Sequence, residues 1–185
     1  DAILSIVGLS LPYAIRERGP ESGDDAIARM VEAYKDDFNA NRLKLDAAIP
    51  LFAGAEAAIA RLIARDDVML AIATGKSRRG LDGLLAQWPF AAHFLSTQCA
   101  DDHPSKPHPS MVQSCLAECA VKAQNAVVVG DTTYDMEMAR AAGAFTIGVT
   151  WWYHRVEDLR YAGATLIIDD YVQLGGAVAQ VLGEL

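Results

Sequence analysis

The chain has 185 residues, of which 52% are hydrophobic and 22% charged, enough for one domain, alone or with a small appended lobe, and for a real apolar core. Its net charge of −8 speaks against sequence-independent binding to nucleic acid or to an anionic membrane, both of which need clustered Lys and Arg. An anionic substrate stays admissible, because one local electropositive pocket can override the global field.

No apolar run approaches the roughly 20 residues of a membrane span, and no signal peptide is visible. Cys99, Cys115 and Cys119 show no C-x-x-C or Cys/His metal spacing. Cys115 and Cys119 fall one turn apart on a predicted helix, where they read as small packing residues of a protein in a reducing cytoplasm.

The chain opens on Asp1-Ala2-Ile3 and enters an apolar stretch at once. Natural termini are usually polar, so further residues are expected before it. Ile27, Met30, Val31, Tyr34 and Phe38 recur at three- and four-residue steps, with Ser22 or Asp24 as the cap of that helix. No buried strand interrupts residues 10–45, which marks residues 1–47 as a partial helical lobe. The segment DAAIPLFAG, with Pro50 and Gly54, reads as the linker out of it.

Residues 48–185 alternate between helices and short buried strands. Helix AEAAIARLIAR leads into a strand at 68–73, and a helix near 77–87 into a short strand at 93–95. A helix at 109–121 leads into strand 126–130, and a helix at 134–142 into strand 145–149. A last strand, 166–169, precedes a terminal helix. Continuous apolar strands separated by helices predict an α/β fold with a doubly wound parallel sheet, covered on both faces.

In such a sheet, ligands bind beyond the carboxyl ends of the strands. Strand 68–73 is followed there by Thr74-Gly75-Lys76-Ser77, and strand 126–130 by Asp131-Thr132-Thr133-Tyr134-Asp135. The loop after the short third strand carries Asp101, Asp102, His103 and Lys106. Two close carboxylates repel and need a cation to stay ionised together, so Asp131 and Asp135 suggest a hard divalent ion, Mg²⁺ fitting best. Either could instead be a plain helix cap. Thr74 and the free N–H groups after it could cradle a phosphate, or Thr74 could be an ordinary cap. Lys106, in a loop stiffened by Pro107 and Pro109, could neutralise phosphate charge or simply face solvent.

Together these residues resemble the haloacid dehalogenase superfamily, and among its branches the phosphoglycolate phosphatase-like members. Thr74 in AIATGKS matches the second motif, Lys106 in SKPHP the third, and Gly130-Asp131-Thr132-Thr133-Tyr134-Asp135 the acidic fourth. The lobe before residue 47 resembles the helical cap of that branch. The resemblance implies a Mg²⁺-dependent phosphatase acting on a small phosphorylated metabolite through an aspartyl-phosphate. It makes Thr74 and Lys106 catalytic, gives Thr74, Gly75 and Lys106 the phosphate, and gives Asp131 and Asp135 the metal, Asp135 through water or by orienting Lys106. Cysteine usage and the acidic charge point to a cytoplasmic protein with no nucleic acid or membrane partner, and both monomer and homodimer stay open.

The family's first motif, a strand followed by D-x-D, is absent from these residues. Its strand is the central one, expected between those at 68–73 and 126–130, so a segment of roughly 20–40 residues is expected upstream. A phosphosugar mutase of the same superfamily and a non-catalytic metal- or phosphate-binding pseudo-phosphatase remain open. A dehalogenase needs no metal and fits the carboxylate pair less well, and a receiver domain would place its acidic pair first. Trp151, Trp152, Tyr153 and His154 follow the fifth strand and could shape a pocket, a dimer contact or plain packing. Arg78 and Arg79 could attract an anion or form a solvated face.

Overall fold

A computed structural model describes residues 6–19, 23–45, 50–151 and 154–183. The first two helices, α1 (Leu11–Arg18) and α2 (Asp24–Leu45), pack on each other. Ile27 and Val31, one turn apart on α2, are buried, whereas Met30 and Tyr34 stand exposed. The apolar stripe facing α1 is therefore narrower than the periodicity suggests. Asp24 lies inside the first turn of α2 with Asp25, where acids favour the helix dipole, instead of capping it. Ser22, the Phe38 side chain and the expected boundary at 47/48 lie outside what is described.

The remaining elements alternate as the sequence predicts. They run α3 (Ala55–Ile63), β1 (Leu70–Thr74), α4 (Arg78–Leu85), β2 (Phe94–Cys99), α5 (Ser110–Glu118), β3 (Val127–Gly130), α6 (Thr133–Ala141), β4 (Phe145–Val149), α7 (Val156–Ala162), β5 (Leu166–Ile168) and α8 (Leu174–Leu182). All strand pairings are parallel, β1 with β2 in one sheet and β3-β4-β5 in another. The pleat of β4 shows why its run is apolar apart from Thr146, which is buried with its hydroxyl donating to the Gly163 carbonyl. Ile147 and Val149 point to α3 and α8, meeting Ala58, Leu174 and Ala177. On the other face Gly148 lets Leu159 and Ile167 come close, and Met136 and Leu159 fill that side from α6 and α7.

Among the described residues, β1 has a strand neighbour only in β2, and β3 only in β4. Helices join them: Met111 and Val112 of α5 pack with Met138 and Ala139 of α6 in a cluster that takes in Ala73 of β1 and Val128 of β3. Val129, in mid-strand, is 40% exposed. The predicted slot between the first and third strands is thus present among the described residues. Their carboxyl ends still face the same edge.

Candidate active site

The turn after β3 is built by its own side chains. Thr132 caps α6, its Oγ1 accepting from the Asp135 N–H at 3.3 Å, while the Asp135 carboxylate accepts from the Thr132 N–H at 3.1 Å and the Thr132 hydroxyl at 2.7 Å. This reciprocal capping box fixes Asp135 on the first turn of α6. Gly130 is required beneath it, because a Cβ there would sit 2.6 Å from Asp135 Cγ.

The other carboxylate oxygen of Asp135 accepts from Lys106 Nζ at 2.6 Å. Both residues are buried, Lys106 to 7% exposure and Asp135 to 6%. Burial opposes ionisation of Asp135, but the Lys106 charge and hydrogen bond, with those from Thr132, overcome it and hold the carboxyl below its usual range. Asp131 behaves oppositely. Burial first, and the Asp135 charge second, push its pKa up to about 6. Of the two acids expected to hold a metal, Asp135 has its oxygens engaged by Lys106 and Thr132, and Asp131 is the one whose ionised form burial and the Asp135 charge oppose more than the Lys106 charge favours it. An accept-only carboxylate oxygen in that state suits a hard cation. Among the described residues, no three His, Cys, Asp or Glu side chains converge on one point.

Thr74 and Gly75 lie across the turn after β1. The Thr74 Oγ1 accepts from the Lys76 N–H at 3.2 Å. Gly75 passes so close to the segment before α1 that an added Cβ would stand 2.9 Å from the Gly8 carbonyl oxygen, and a Cβ on Gly8 would stand 3.0 Å from Thr132 Oγ1. Gly8 has φ +96°, a conformation that favours glycine. Ser10 donates its N–H to Ser105 Oγ at 2.9 Å, beside Lys106. Residues 8–10 therefore bring together the turns that carry Thr74, Lys106 and Asp131.

The other sequence candidates divide. Trp151 packs on Tyr171 with ring centroids 4.6 Å apart, beside the α3–α8 core. His154 accepts the Thr133 N–H at 3.2 Å and lies edge-on to Tyr134. Trp152 and Tyr153 fall outside the described residues. Arg78 is committed to the protein, donating to the Thr97 carbonyl and to Asp102, which raises its pKa. Arg79 pairs with Asp36 of α2 at 3.7 Å. Cys99 and Cys115 are buried free thiols, pushed up in pKa by burial, as packing residues are. Sequence reasoning missed Thr132 as the cap. The signal was present, since T-x-x-D before a helix is a capping-box pattern.

Residues 1–149 match the family described as haloacid dehalogenase-like hydrolase. The chain belongs to that family. A probable phosphatase, IndB, of Dickeya dadantii is 36% identical over 115 residues, covering 61% of this chain and 50% of that protein. A phosphoglycolate phosphatase of Pectobacterium atrosepticum is 25% identical over 155 residues, covering 83% of this chain and 66% of that protein. The chain thus spans half to about two thirds of the length of these curated relatives. Among solved structures, a hydrolase from Pseudomonas syringae superposes with a TM-score of 0.79 at 22% identity, covering 97% of this chain and 82% of that one. A beta-phosphoglucomutase from Clostridium difficile also gives 0.79, at 17% identity, covering 98% of this chain and 80% of that one. At these identities the structural likeness establishes the haloacid dehalogenase-like fold. No helix of the described residues is long and apolar enough to cross a membrane.

Proposed function

We propose that the complete protein is a Mg²⁺-dependent phosphatase that hydrolyses a small phosphate monoester of the phosphoglycolate type. The observation that carries this is the buried Lys106–Asp135 pair at 2.6 Å, set next to the largely buried Asp131, whose ionisation is made costly by burial and the Asp135 charge. A lysine locked by a buried carboxylate offers its remaining N–H donors to a phosphoryl oxygen in a fixed direction. Thr74 and the Gly75 N–H would hold another phosphoryl oxygen from the turn after β1. Asp131 would hold the cation, and Asp135 would act mainly by orienting Lys106. A divalent ion at Asp131 would supply charge neutralisation for the phosphoryl group. The reading requires an aspartate nucleophile, which these 185 residues do not contain as a D-x-D motif. It takes residues 1–47 as the cap that screens substrates, acting on a small phosphorylated metabolite without nucleic acid or membrane.

Phosphoglycolate phosphatase relatives favour hydrolysis, and the beta-phosphoglucomutase neighbour keeps phosphosugar isomerisation as the second reading. The test is a phosphate-release panel of small monoesters on the full-length protein, with Mg²⁺ and then with excess chelator. Release that needs Mg²⁺ and is strongest for phosphoglycolate supports the proposal. Isomerisation of a sugar phosphate without free phosphate, followed by ³¹P NMR, would move the assignment to the mutase. Silence on every ester, with a D-x-D sequence present upstream, would leave a pseudo-phosphatase.

A further inference from the structure

The loop from Ala100 to Pro109 presents Lys106 but has neither strand nor helix to stiffen it. Within it, the His108 N–H reaches the Ser105 carbonyl at 3.0 Å, and the Ser110 N–H reaches His108 Nδ1 at 3.2 Å. These are short-range links and do not tie the loop to the core. A second set does. His103 Nδ1 lies 2.8 Å from Ser110 Oγ, and His103 Nε2 lies 2.8 Å from Gln98 Oε1. Gln98, only 7% exposed on β2, donates its amide hydrogens to Ser96 Oγ and to Glu118 Oε1, each at 2.9 Å.

The proton positions follow from that chain. Glu118 is held ionised by hydrogen bonds from Ser96 and Gln98, so it can only accept. The Gln98 NH₂ must therefore face Glu118, which leaves Oε1 for His103. His103 then donates from Nε2 to Gln98 Oε1, and its Nδ1 pairs with the Ser110 hydroxyl, which can serve as donor or acceptor. The circuit starts at the first turn of α5, crosses to the loop and to β2, and returns to the last turn of α5 at Glu118. Lys106 sits between His103 and Ser110, on the stretch of chain that their hydrogen bond closes.

We propose that His103, through Ser110 and Gln98, is a positioning residue for Lys106. It draws the two ends of the loop together so that Nζ is delivered to Asp135 and to the phosphoryl site. This rests on the phosphatase reading for its catalytic consequence, though not for its effect on Lys106 itself. A misplacement of about 1 Å in a group that contacts the reacting phosphoryl can cost on the order of 100-fold in rate.

The test uses the full-length protein and the variants His103→Ala, Ser110→Ala and both together, each alone and with Lys106→Met. Turnover on the best ester of the panel should fall about 10- to 100-fold in kcat for each single variant, with KM changed less than about threefold. The double variant should lose no more than the worse single, and none should lose more once Lys106 is Met. A residue that merely stabilises the fold would instead multiply with Lys106→Met. Ser110→Ala removes one hydroxyl from a half-buried position and serves if His103→Ala fails to fold. Independently of turnover, ¹⁵N NMR of the Lys106 ammonium should show one slowly exchanging signal in the parent protein, lost or broadened in both variants. Unchanged kcat in both singles, or losses that multiply with Lys106→Met, would overturn the proposal. If the parent hydrolyses no ester, the phosphatase reading fails by itself. The ammonium signal then decides, and its persistence in both variants overturns the positioning role.

Discussion

The two aspartates of the turn after β3 differ in what surrounds them, and single substitutions should separate their roles. Asp135 pairs directly with the buried Lys106 ammonium. Asp135→Asn keeps an acceptor for Thr132 but leaves an ammonium at 7% exposure without its hydrogen-bonded counter-charge. A loss of about 3–5 kcal/mol in urea unfolding is expected, and a loss below about 1 kcal/mol would mean that the pair is not buried in solution. Asp131 should behave in the opposite sense. Its pKa is raised from 3.8 to about 6, so its ionised form is disfavoured by the fold. That penalty is absent below the unfolded value and complete above about 6. Asp131→Asn removes it, and the cation-free protein at pH 7.5 should gain roughly 1–3 kcal/mol. The parent should be stabilised by added Mg²⁺ and the variant should not, a difference that thermal melting with and without the ion reads directly.

At the scale of elements, the site depends on how β3 hands over to α6. Gly130 ends the strand with the Asp135 side chain lying where a Cβ would project. Asp135 cannot yield, because Thr132 and Lys106 hold both its oxygens. Gly130→Ala should therefore cost about 1–3 kcal/mol and loosen the Lys106 pair as well. Normal stability, measured by urea unfolding, would show that the helix start can shift without penalty. The strand-to-helix handovers were legible because each strand is a continuous apolar run before a polar turn. β2 was not, and residues 93–95 were expected where the strand runs from Phe94 to Cys99. Ser96 and Gln98 hide it. They are polar yet buried, satisfied by Glu118 on α5 and by His103 in the loop that follows, partners that no strand periodicity announces. The roles of Thr74, Lys106, Asp131 and Asp135 were read only from the likeness of their stretches to the family's motifs, but their standing in the turns and loop after strands was legible in the sequence. The capping box, the Ser10–Ser105 contact and the His103 circuit were not, because each depends on which backbones the fold brings together.

For the whole molecule, the arrangement of strands makes stability uneven. β4 is paired on both sides, by β3 and β5, and four of its five residues are buried. Among the described residues β1 is paired on one side only, and none of its residues reaches full burial. Backbone amides open according to the contacts that must be broken to expose them, so these strands should differ in hydrogen exchange. In the 185-residue chain, the amides of residues 146–149 should exchange close to the limit set by global unfolding. Those of residues 70–74 should exchange at least about tenfold faster, with residues 127–130 between them. In a longer protein that supplies a strand between β1 and β3, both inner edges should slow toward the β4 rate, and the β4 rate should change least. Equal protection of β1 and β4 in the 185-residue chain would show that the two sheets behave as one. In that case the helices α5 and α6, whose Met111, Val112, Met138 and Ala139 bridge Ala73 and Val128, would be holding the edge closed without a strand.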